Sequence, residues 1–171
     1  MLENMRENVI IKSKEMRVFT DGKRNEQPLT KEQFDALKEI AIEYGFDGEI
    51  LYSDDSNTAF HRFTEGGDWY FLVIGSDALP AENNGGTPNE LISARGCIAH
   101  EVIGHYLAYK RGTTQSELVL EEAQASIRAS KYADGLSKEE REVLWLDAME
   151  RLQKAGIRYE DVESQLDIWE K

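Results

Sequence analysis

From Lys31 to Gly45 the apolar residues Phe34, Leu37, Ile40, Ala41 and Tyr44 recur every three or four positions, the period of one helix face. Thr30 and Gln33 have capping-box spacing at its start, and Gly45 supplies a stop. Before it, "ENVIIKSKEMRVFTDGKR" carries short β-rich runs broken at Asp21-Gly22. After it, "GEILYS", "TAFHRF" and "DWYFLVIGS" read as three strands, the last two joined by the turn-forming "TEGG". "DALPAENNGGTPNE" has the composition of a loop.

The period then turns helical for good. A long helix is expected from about Pro88 to Arg111, with proline early and Gly112 just past its end. Thr114 and Glu117 have the spacing of a second capping box, opening a helix to about Tyr132. Ser137 and Glu140 open a third, which stops near Gly156, and a short C-terminal helix follows. Strands first and helices after predict an α+β fold. We expect one domain over residues 1–171, strand-rich over about 8–76 and helical over about 88–171, with a small, mostly antiparallel sheet packed on the first long helix.

Composition narrows the partners. A formal charge of −13 repels nucleic acid and anionic lipid, so neither is expected as a partner. No apolar run is long enough to span a membrane, and the N-terminus lacks the apolar core of a signal peptide. The expected setting is the cytoplasm. The single Cys97, one turn before His100, reads as a small packing residue.

The chemistry concentrates in "IAHEVIGHYLAY", Ile98 to Tyr109, which holds two of the three histidines. His100 and His105 are one residue further apart than in H-E-x-x-H. On a regular helix they would diverge by about 140° and could not share a metal. A π-bulge absorbs one residue and would bring His105 back beneath His100, with an i→i+5 hydrogen bond in that turn. Gly104 is expected to ease the irregular backbone. The ordinary alternative is a plain helix, in which Glu101 and His105 form an i,i+4 surface pair.

The next helix weighs against that alternative. In "LVLEEAQASIRAS", Glu122 shares its direction with Leu118, Val119, Ala125, Ser126 and Ala129, so it is a carboxylate on an apolar stripe. Such a group needs a partner or a metal. Glu121, with Glu117, Gln124 and Arg128, falls on a face expected to be solvated. Small residues near His100 (Ser93, Gly96 and Gly104) permit close helix approach, and antiparallel packing would bring the two faces together. Two histidines and a carboxylate make a three-ligand zinc site with an open fourth position.

"HEVIGH" followed by "EEAQAS" resembles the H-E-x-x-x-H gluzincin metallopeptidases typified by dipeptidyl peptidase III. The likeness covers about Pro88 to Ser130. In size and motif spacing the chain is most similar to the small zincin-like metallopeptidase toxin domains of bacterial polymorphic toxins. The resemblance implies one zinc ion on His100, His105 and Glu122, Glu101 as general base, and hydrolysis of a peptide or protein substrate. It further implies a cognate immunity protein as partner, delivery as part of a secreted toxin as the alternative to the cytoplasm, and a strand beside the cleft that pairs with extended substrate, for which Trp69–Gly75 is the candidate. A second group polarising the carbonyl would come from His61, Tyr106, Tyr109 or Arg95. The family's usual aspartate four residues after the glutamate ligand is Ser126 here, which weakens the expected hold on the imidazole. A zincin-like binding module without catalysis and a helical interaction protein without metal are the rival readings.

Overall fold

The computed structural model describes residues 22–54 and 57–171, so the strand reading before Asp21 lies outside the described residues. Helix α1 (Lys31–Glu43) starts where Thr30 accepts from the Gln33 N–H and Gln33 reaches back to the cap. Leu37 and Ala41 are buried along it, and Gly45 leaves the helix at φ +89°. Strands β1 (Glu49–Ser53), β2 (Ala59–Phe63) and β3 (Trp69–Gly75) follow.

The sheet is mixed, not mostly antiparallel. Its order is β1-β3-β2, with β1 parallel and β2 antiparallel to β3. β3 is therefore central and has no free edge, so the expectation that Trp69–Gly75 pairs with an extended substrate fails. Among the described strands, β1 and β2 are the two edges. Phe71 to Ile74 are fully buried because both faces of β3 are covered: Leu72 and Ile74 lie in the core shared with the helices, and Phe71 stacks among His61, Phe63 and Trp69.

The expected helix from Pro88 to Arg111 is interrupted. A single turn, α2 (Pro88–Leu91), ends at Ile92, whose backbone is extended at ψ 123°. Ser93 then caps a new start by accepting from the Gly96 N–H. From there the chain runs through α3 (Ala94–Ala99), a π-helical turn (His100–Tyr106) and α4 (Leu107–Arg111), and Gly112 terminates it at φ +72°. α5 (Leu118–Tyr132) opens at Glu117 without a side-chain cap, so the Thr114–Glu117 box does not form. α6 (Lys138–Lys154) does have its Ser137–Glu140 box, and α7 (Tyr159–Val162) is the short C-terminal helix.

Two apolar cores result. One joins α1, the inner face of the sheet, α3 and the π turn, through Leu37, Phe46, Leu72, Ile74, Ile98, Val102 and Tyr106. The other joins α5, α6 and the C-terminal segment, through Ile127, Leu152, Leu166 and Ile168. Among the described residues no helix is long and apolar enough to cross a membrane.

Candidate metal centre

The π turn does what the spacing required. The Leu107 N–H donates to Val102 O, five residues back. The extra residue is absorbed, and the Nε2 atoms of His100 and His105 lie 3.1 Å apart with their rings nearly perpendicular. Returning from i→i+5 to i→i+4 spacing passes over one carbonyl, which must find another donor. Ile103 O accepts from Nε of Arg128, a fully buried side chain of α5, at 3.2 Å. Arg128 also donates to Asp167 O and Glu170 O, which ties the turn to the C-terminal segment.

α5 lies close against this turn because Gly104 has no side chain. A Cβ there would stand 2.7 Å from Cα, Cβ and O of Ala125. Gly104 has no positive φ, so its role is close approach and not the backbone freedom expected of it. The approach brings Glu122 to the histidines. Its Oε2 is 3.2 Å from His100 Nε2, and its Oε1 is 3.5 Å from His105 Nε2. Tetrahedral ligands about 2.0–2.1 Å from zinc are separated from one another by about 3.3 Å. Two imidazole nitrogens and one carboxylate at these separations fit zinc in donor type and in spacing.

Glu101 belongs to the same cluster, since one ligand atom each from His100, Glu101 and His105 lie within 4.8 Å of one another. Its carboxylate is nevertheless set apart. Oε1 is 4.0 Å from His100 Nε2, and Oε2 accepts from the Phe60 N–H of β2 at 2.8 Å. Of the two carboxylates, Glu122 stands closer to the imidazole nitrogens. Burial pushes the Glu101 carboxyl above its usual range, in the direction a base working near neutrality needs. Burial would also raise Glu122, but His105, His100 and Arg151 outweigh it and hold that carboxyl well below the usual range. Burial would lower His105, but Glu122 and Glu121 outweigh it and hold the imidazole well above.

The outward-facing nitrogens are held as well. His105 Nδ1 is 3.0 Å from Glu121 Oε1, and Glu121 Oε2 accepts from the Gln115 N–H at 2.7 Å. His100 Nδ1 is 2.9 Å from Ser126 Oγ, which lies 2.7 Å from Asp147 Oδ2 on α6. Arg151 donates through Nε to Asp147 at 2.8 Å and through an NH1 proton to Glu122 Oε2 at 3.2 Å.

The expected solvated face of α5 is not solvated. Gln124 and Arg128 are fully buried under the C-terminal segment, and Glu121 faces His105. Sequence reasoning placed Glu121 on a solvated face and passed over Asp147 and Arg151. A signal for Asp147 exists, since it stands with Leu144, Ala148 and Leu152 at helical spacing. That pattern of a carboxylate on an apolar stripe is the one that marked Glu122.

Three of the four candidate polarising residues are committed elsewhere. His61 packs on Phe71 in β3, Tyr106 is buried with its hydroxyl on Asp47, and Arg95 pairs with Glu43. Tyr109 lies beside Phe60, under the guanidinium of Arg62. Cys97 packs against the first core.

No protein-family model, curated protein or solved structure matches this chain.

Proposed function

We propose that the chain is a zinc-dependent peptidase with His100, His105 and Glu122 as ligands and Glu101 as general base. One observation carries the reading. Two imidazole nitrogens and a carboxylate converge on one point, while a second carboxylate, that of the buried Glu101, stands beside it, held off by a backbone N–H. A structural zinc site would use a fourth protein ligand, and these three donors leave that position open.

Bound there, zinc supplies a Lewis acid that acidifies water and polarises a carbonyl. The chain supplies the rest. Glu101 takes a proton at Oε1, the oxygen not bonded to Phe60, and returns it to the leaving amine. The Phe60 N–H fixes the carboxylate, so proton transfer needs no large movement of the side chain. Because Phe60 directs its N–H to Glu101 and away from β3, the backbone groups of Phe60 and Arg62 alternate toward the free side of β2. That side adjoins Glu101, and an extended peptide added there would lie alongside the base. β2 thus takes the role expected of Trp69–Gly75.

The test is metal analysis and peptide hydrolysis on wild type and Glu101→Gln. Wild type is expected to hold about one zinc per chain and to cleave a diverse peptide library. Glu101→Gln keeps the zinc and loses cleavage. Undiminished cleavage by the variant would refute the assignment of the base.

A further inference from the structure

Asp147 lies outside the motif, on α6, and does not reach either histidine. Its carboxylate can only accept hydrogen bonds, and Arg151 Nε donates to it at 2.8 Å. The Ser126 hydroxyl, 2.7 Å away, must therefore donate its single proton to Asp147. Ser126 Oγ is then left as an acceptor toward His100 Nδ1 at 2.9 Å. Nδ1 must carry a proton, so Nε2, which faces Glu122 and His105, is the nitrogen left to a metal. A serine backed by nothing could turn its proton either way. A serine backed by Asp147 cannot.

All members of this chain are enclosed. Ser126 is fully buried, Asp147 is 2% exposed and His100 7%. Arg151 closes the arrangement from the other side, spanning Asp147 Oδ2 and Glu122 Oε2. α6 thereby reaches two ligands at once, one through Ser126 and one through Arg151.

We infer that Asp147 is a positioning residue for metal binding, fixing the His100 tautomer through the Ser126 hydroxyl. It supplies from α6 the carboxylate that Ser126 lacks. The inference rests on the zinc reading above, and its test is separable from it.

Zinc affinity of the full chain is measured by competition with a chromophoric chelator, with thermal melting of each metal-free variant as a folding control. Ser126→Ala leaves the Asp147–Arg151 pair in place, yet is expected to weaken zinc binding about 10–100-fold. Asp147→Ala is expected to weaken it by a similar factor. The Ser126→Ala/Asp147→Ala double variant should be no weaker than either single one, because one relay is broken only once. Ser126→Asp combined with Asp147→Ser, which moves the carboxylate next to His100, should recover most of the loss. In zinc-loaded protein the His100 Nδ1 proton should be visible by nitrogen-15 NMR in wild type and lost to exchange in Ser126→Ala. If wild type binds zinc and Ser126→Ala binds it equally tightly, the relay is refuted and the zinc site stands. Additive losses in the double variant, or no recovery on relocating the carboxylate, also refute it. If wild type binds no zinc, both readings fall.

Discussion

Gly104 and Ala125 meet as backbone against backbone, with no room for a methyl group between them. This contact sets how near Glu122, three residues before Ala125, comes to the histidines. Gly104→Ala is expected to force α5 outward, at about 1–3 kcal/mol for overpacking. The melting temperature should drop by roughly 3–10 °C for a chain of this size. Zinc affinity should fall with it, since the contact that packs the helix also positions the ligand. Calorimetry with chelator competition reads both, and an unchanged melting temperature would refute the close-contact role.

Glu121 and Glu122 are adjacent in sequence and reach different atoms. Glu122→Ala should strip the zinc, because it removes a ligand. Glu121→Ala should leave a site weakened about 10–100-fold, because His105 loses the acceptor at Nδ1. The two are compared by titration against chelators of graded strength. Wild-type affinity in Glu121→Ala would show that the His105 contact is incidental.

His61 gives a pH dependence that owes nothing to the metal. Its Nε2 atom is buried without a partner, and burial pushes the imidazole down to about 4. The unfolded value is about 6.5. Between these values the unfolded chain binds the proton and the folded chain does not. Stability from this group is therefore full above about pH 6.5, declines as pH falls, and is gone below about 4, a span of about 3 kcal/mol. His61→Phe should flatten that part of the profile. Parallel urea-denaturation profiles for wild type and variant from pH 7 to 4 would contradict it.

Local pattern carried much of this architecture. The Thr30 and Ser137 caps, the three strands and the need for a π turn each depend on residues within one or two turns of one another. Glu122 was legible because a charge on an apolar stripe conflicts with burial. Strand order was not, since pairing β1 with β3 across β2 leaves no local trace. The break at Ile92 was hidden because Leu91 and Ile92 continue the helical apolar period up to the new cap at Ser93. Gln124 and Arg128 looked solvated by residue type. They are buried because the last residues of the chain, remote in sequence, fold over them and supply carbonyls.

The two kinds of contact at the centre differ in how much chain they close. His100 and Glu122 are 22 positions apart, and His100 and Ser126 are 26. The Phe60–Glu101 contact spans 41 and needs the sheet in place. Short loops close first, because closure entropy grows with length. The ligand set can assemble as a helical unit while the base still waits for its backbone partner. Zinc present during refolding should then speed formation of the helical half and leave docking of the sheet as the slower step. With Trp145 and Trp169 replaced by Phe so that Trp69 alone reports the sheet, stopped-flow refolding would show this as helix signal rising ahead of Trp69 fluorescence, and coincident traces with and without zinc would exclude it. On the proposed zinc reading, metal capture would precede competence for cleavage, and a half-folded chain would hold its ion before it could use it.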